Sequence, residues 1–356
     1  MLFFTLFILV LCSFLEIQQK KSYSLFFFII MGLLVFDFIK AGSGTDYFFY
    51  FNDYHNYSEI SNYKSRYELL YSGISKLASL ANLPYHLFLL GFYSCYYFLI
   101  GFTIKKHSPY PILSIFLFFC ITIGILGSLR QLISMAIIFF ATFSFIEIKK
   151  NYNYLYFLLL LIIATGFHYS AILALPIILF NKNISDRVWF VILVISALLL
   201  IFRMNDFMVI NADDYLPEIY SSLIKKYSNA SNITIPLTYH VLFGVIRRGI
   251  LVVVFLVYKE KFQHLRFFRI LYNISWFSLI FYLFFYTIPF IGSRAGHYFL
   301  IFESISYAII IKSVYRQKLR SAIMYLILIF GLFLCIKNIS IYPDLFIPYK
   351  TIFGAF

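Results

Sequence analysis

Charge is what this chain has least of. Only 12% of its 356 residues are charged, about half the share of a soluble domain, so a solvated surface cannot be built from them. The signatures of nucleotide and zinc-peptidase chemistry are also missing: no GxxxxGK[ST], no GxGxxG after a strand, no HExxH helix. The four cysteines, Cys12, Cys95, Cys120 and Cys335, sit in apolar runs at irregular spacing, which excludes a disulfide frame and a cysteine metal site. The N-terminus has no basic leader and no small-residue cleavage site, so its apolar run reads as a retained span.

What is present is apolar sequence, at 62% of residues, in runs long enough to cross about 30 Å of hydrocarbon as helices. Spans are expected at 2–15, 23–40, 86–104, 110–127, 131–148, 154–180, 188–203, 238–258, 270–291, 297–313 and 321–336. The fold expected is all-α: a polytopic helical membrane protein of about 11–12 passes forming one transmembrane domain over 1–356. The formal charge of +14 gathers at span ends, without the interleaved aromatics of a nucleic-acid stripe. Lys20 and Lys21, Lys105 and Lys106, Lys149 and Lys150, then Lys182 with Arg187, recur at alternate connections. Lys259, Lys261, Arg266 and Arg269 continue the series, and Lys312, Arg316, Lys318 and Arg320 end it. The positive-inside rule puts all of them on the cytoplasmic side.

That assignment works only if the run 154–180 goes out and back, with "TGFHYS" (165–170) at an outer break. Each arm is then about 12–13 residues, roughly 19 Å as α-helix, so one arm must be short or tilted. Both termini then lie outside, with two long outer loops at 41–85 and 204–237. No internal repeat stands out, which counts against a transporter.

With this threading the unusual polar residues collect on the outer side. Arg130, the one charge in the middle of 110–146, sits at a hairpin tip within "GSLRQLIS" (127–134). His168 lies at the outer break, and Asp46, Tyr47 and Tyr50 follow the second span in "GTDYFFY" (44–50). Arg294 and His297 occupy an outer turn in "GSRAGHYF" (292–299). Arg247 and Arg248 fall halfway along a span in "IRRGI" (246–250). Plainer alternatives stand beside each: Arg130 on a lipid phosphate, His168 as a packing residue, Asp46 as a helix cap, Arg247 and Arg248 snorkelling. Clustered guanidinium groups fit phosphate oxygens through a bidentate fork and keep their charge at low dielectric. A lipid pyrophosphate would present its headgroup at this depth. Chemistry outside the cell must also run without nucleotide donors, and an activated lipid-linked substrate meets that need.

The chain resembles the EpsG-like branch of the Wzy-type polysaccharide repeat-unit polymerases. The resemblance rests on ordered landmarks: "GTDYFFY" (44–50), "RYELLYSGISKLA" (66–78), "GSLRQLISMAI" (127–137), "ATGFHYSAILALPI" (164–177) and "IGSRAGHYFLIFESI" (291–305). Ser134 departs from the alanine more usual after the RQ pair. The resemblance implies a fold similar to lipid-dependent membrane glycosyltransferases. It implies transfer of a growing glycan from its polyprenyl pyrophosphate onto a second lipid-linked repeat unit, with no metal and no cofactor. Partners implied are undecaprenyl-pyrophosphate-linked oligosaccharides, membrane lipids and a chain-length regulator protein, with no nucleic acid. The place implied is the bacterial inner membrane, with the active site facing the periplasm or cell exterior.

On that reading Arg130 and Arg294 meet the pyrophosphate, and His168 or Asp46 serves as base, histidine having an unperturbed pKa near neutrality. Arg247, Arg248, Glu68, Tyr47, Tyr50, Gln131 and His297 bind substrate, Glu68 and the tyrosines by contacting sugar. A ligase passing the glycan to lipid A core shares the donor site and is the nearest rival. A glycan flippase is the rival of a different class.

Overall fold

The computed structural model describes the chain apart from residues 1, 19–21, 41, 43–45, 61–66, 149, 203–238, 287–290, 342, 344–345, 348 and 356. The expected outer loop 204–237 therefore lies outside the described residues, as do Lys20, Lys21 and Lys149. Fifteen α-helices account for most of the described residues. In chain order they are α1 (Leu2–Gln18), α2 (Tyr23–Phe38), α3 (Tyr47–Glu59), α4 (Leu69–Leu80), α5 (Tyr85–His107), α6 (Pro111–Thr122), α7 (Leu129–Glu147) and α8 (Lys150–Phe167). Then follow α9 (Asp186–Ile201), α10 (Tyr239–Val257), α11 (Lys259–Phe262), α12 (Phe268–Phe285), α13 (His297–Leu300), α14 (Glu303–Lys312) and α15 (Gln317–Ile341). Near the C-terminus Lys350–Thr351 and Gly354–Ala355 form a two-residue antiparallel ladder, β1 and β2.

The chain is an all-α polytopic membrane protein. Among the described residues, four helices have the length and apolar character to cross a membrane: α5, α7, α12 and, over Gln317–Ser340, α15. Shorter apolar helices lie at Leu2–Glu16, Tyr23–Phe38, Pro111–Ile125, Tyr152–Phe167 and Tyr169–Asn181.

The chain divides into two compact units, one of residues 1–175 with 303–356 and one of residues 176–302. At the centre of the first unit is α6, whose twelve residues are all buried. A helix apolar on every side can be stable only when covered all round, and α1, α14 and α15 supply that cover. Its first amides are buried too. The Glu16 carboxylate of α1 accepts the amide hydrogens of Ile112 and Leu113, each at 3.0 Å, and so caps the helix from outside. Alongside, α7 packs on α5 and α8. Ser134, the departure from alanine, donates its hydroxyl to the Ala164 carbonyl at 2.9 Å and ties α7 to α8.

The run 154–180 changes helix type at its middle. The first arm begins earlier than expected, at Lys150, and has 18 residues, about 27 Å of α-helix. The helix stops at Phe167, and Ala171 donates to the His168 carbonyl at 3.0 Å to open a 3-10 segment, Tyr169–Asn181. Its 13 residues rise by about 2.0 Å each, roughly 26 Å in all. Neither arm is short, because the second is more extended. Pro176, inside this segment, lacks the amide an α-helix would need there.

Candidate active site

Three helices of the first unit start at one place, and each spends its capping residue on its neighbours. Asp46, Glu68 and Ser128 stand at the N-cap positions of α3, α4 and α7, and none makes a side-chain cap bond to its own helix. A lost cap costs about 0.5–2 kcal/mol, so three together mark a site where local preference has yielded to something else. Ser128 donates its hydroxyl to Asp46 Oδ2 at 3.0 Å. Tyr50 donates to the same oxygen at 3.3 Å.

Glu68 is the hub. Its side chain is only 4% exposed. Oε2 accepts from Arg130 Nη1 in a close ion pair. Oε1 takes His168 Nδ1 at 3.0 Å and the backbone amide of Tyr169 at 3.1 Å. The carboxylate thus gathers α4, α7 and the break after α8 into one network. Burial alone would push its pKa up. The hydrogen bond from His168, then the charges of Arg130 and His168, outweigh burial and hold the carboxyl at about 2.

Arg130 is the second residue of α7, where its charge opposes the positive end of the helix dipole. Glu68 offsets that, and three phenol rings add to it. The guanidinium carbon lies 4.3 Å from the Tyr67 ring centre, 5.4 Å from Tyr50 and 5.9 Å from Tyr71. These rings pack on one another with centroids 5.3–5.7 Å apart. Nε also donates to the Tyr50 hydroxyl at 3.2 Å. Burial raises the Tyr50 phenol well above its ordinary pKa despite the nearby guanidinium, so it keeps its proton and remains a donor to Asp46.

One close approach makes this possible. A Cβ at Gly166 would come within 2.6 Å of the Leu70 side chain. Glycine two residues before His168 lets α8 come close to the first turn of α4, where Glu68 waits.

The structure therefore joins Asp46, Tyr50, Glu68, Arg130 and His168 in one network. Asp46 does stand at a helix start but does not cap it, and Glu68 grips an arginine and a histidine. Gln131 is buried in the first turn of α7, and Tyr47 packs edge-on against Tyr85. Tyr67, Tyr71 and Ser128 belong to the site and were not singled out from sequence. The spacing of Tyr67 and Tyr71, one helical turn apart, was the available signal.

The remaining expected residues lie in the second unit. Arg247 and Arg248 are buried halfway along α10. Arg248 donates to the Gly244 carbonyl at 3.0 Å and holds its guanidinium carbon 4.0 Å from the Tyr282 ring centre. Arg294 lies in a π-helical turn, Ile291–Ala295, and His297 begins α13.

No curated protein and no solved structure matches this chain. The model of the EpsG family matches residues 23–351. The chain belongs to the EpsG family, a Wzy-like family of polysaccharide polymerases.

Proposed function

We propose that this protein joins polyprenyl-pyrophosphate-linked oligosaccharide repeat units into a surface polysaccharide, working on the outer face of the cytoplasmic membrane. The observation that carries the reading is the meeting of Arg130, Glu68 and His168 where α3, α4 and α7 begin. Helix N-termini favour anions, and a guanidinium among them adds a fixed charge. The sidedness rests on the positive-inside pattern: Lys105 and Lys106 end α5 beside Glu147, at the end of α7 opposite Arg130.

In the reaction, Arg130 holds the donor pyrophosphate through Nη2, which its contacts with Tyr50 and Glu68 do not use. His168 Nδ1–H donates to Glu68, which leaves Nε2 as the base. Nε2 takes the proton from the acceptor sugar hydroxyl, and that oxygen bonds to the anomeric carbon of the donor glycan. The bond from that carbon to the pyrophosphate oxygen breaks, and its electron pair leaves with the polyprenyl pyrophosphate. Arg130 meets the charge that develops, and Glu68 stabilises the imidazolium. A pre-placed donor of this kind is worth about 10²–10³ in rate and a positioned base about 10²–10⁴. Within the second unit Arg294, Arg247 and Arg248 are proposed to contact lipid phosphate, and Asp46 with Tyr50 of the first unit to orient the acceptor hydroxyl.

The test is turnover of purified lipid-linked repeat units by wild type and Arg130→Lys, which keeps a positive charge and loses Nη2 together with the planar guanidinium that its neighbours hold in place. Polymer formation is expected to fall about 10²-fold or more. Undiminished polymer would remove Arg130 from the pyrophosphate site. In cells, deletion of the gene is expected to leave a single repeat unit on the lipid A core. A core with no repeat units would identify a ligase instead.

A further inference from the structure

Below the charged network the first unit holds a groove of about 330 Å³ that the chemistry above leaves unused. It runs between α4, α5, α7 and α8, and its walls include Ile74, Ala78, Gly91, Phe92, Ile133 and Phe167. Three of its walls begin beside the charged residues. Ile133 is one helical turn from Arg130 on the same face of α7, Phe167 precedes His168, and Ile74 is one turn beyond Leu70. The outer surface of α4 is apolar and exposed at Leu69, Leu77 and Leu80. A helix of that kind lies in the membrane interface with its apolar side among lipid chains. The floor at Gly91 is bare: a Cβ there would meet no atom within 4 Å.

We propose that this groove holds the donor's polyprenyl chain beyond its first two isoprene units, led beneath α4 so that the pyrophosphate arrives at Arg130. The inference rests on the reading of Arg130 as a pyrophosphate ligand. One groove accommodates one chain, which suits a single-chain amphiphile better than a two-chain phospholipid. Its walls are apolar and the guanidinium stands one turn away, so both halves of a lipid pyrophosphate are matched over a short distance. A second apolar groove, between α1 and α2 and lined by Gly32, provides an internal control.

The experiment measures binding of undecaprenyl pyrophosphate and geranyl pyrophosphate to the full-length protein in detergent, by native mass spectrometry. Wild type should bind the long-chain lipid at least about tenfold more tightly than the short one. Gly91→Leu, which fills open space, should abolish that advantage, and Gly32→Leu, the same change in the other groove, should keep it. Retention of the full advantage by Gly91→Leu, or equal loss in both variants, overturns the groove. If neither lipid's binding responds to Arg130→Gln, the pyrophosphate reading itself fails, which is a separate result. Wild type supplies a second readout through Cys95, an exposed cysteine on the groove wall. Undecaprenyl pyrophosphate should slow its alkylation by N-ethylmaleimide several-fold, and geranyl pyrophosphate should not. Equal protection by both, or none by either, contradicts the proposal.

Discussion

The two ends of α7 carry the same chemistry in opposite settings. At the C-terminal end Glu147 meets Lys106 at 2.5 Å, with side chains 30% and 47% exposed. At the N-terminal end Arg130 meets Glu68, with side chains 16% and 4% exposed. Both Arg130 and Glu147 carry the sign that the helix dipole disfavours at their positions. Water screens the first pair, which is worth about 0–1 kcal/mol. The second pair has lost much of its water, so each charge depends on its partner, on His168 and on the tyrosine rings. An ion pair that is costly to bury, and whose carboxylate gives up capping its own helix, is where chemistry should be sought.

The largest expected effect comes from Glu68→Gln. It should lower turnover by about 10²–10⁴, because His168 loses its orienting partner and Arg130 its neutralising one. It should also destabilise the protein by up to about 3 kcal/mol, read as a fall in melting temperature in detergent. Acid sharpens the same point. Folding lowers this carboxyl from 4.5 to about 2, so its stabilising contribution is complete above 4.5 and fades as pH falls from 4.5 towards 2. Over that interval wild type should lose more thermal stability than Glu68→Gln, and equal losses would show that Glu68 is not specially held.

Next in size is His168→Gln, expected to cost about 10²–10⁴ in turnover while stability changes by about 1 kcal/mol or less. A variant with turnover intact would take His168 out of the reaction. Tyr67→Leu removes the ring closest to the guanidinium and should weaken substrate binding by the equivalent of about 0.5–2 kcal/mol, seen as a raised KM. Smallest of all is Glu147→Gln. It should shift stability by about 1 kcal/mol or less and leave turnover alone. A larger effect there would erase the contrast between the two ends of α7.

The sequence was most informative where hydrophobic periodicity and length decide. The spans expected at 86–104 and 131–148 appear as α5 and α7 with ends moved by a few residues. The break at His168 also appears, but not its form, because a 3-10 segment of 13 residues depends on tertiary cover that no local pattern reveals. Arg130 and His168 are legible as polar residues out of place among apolar ones, and Asp46 and Tyr50 as polar residues where the second span gives way to a loop. Glu68 was read as a sugar contact, and its contact with Arg130 was hidden for a physical reason. A carboxylate just before a helix ordinarily caps that helix. Only the packing of α4 against α8, which Gly166 permits, carries it to Arg130 and His168.

The most direct measurement is a double-mutant cycle on turnover with purified lipid-linked repeat units, using Glu68→Gln, His168→Gln and the double variant. If the two residues act as one proton-handling unit, the double variant should turn over about as slowly as the slower single variant, within about threefold. Losses that multiply would contradict a shared role for Glu68 and His168.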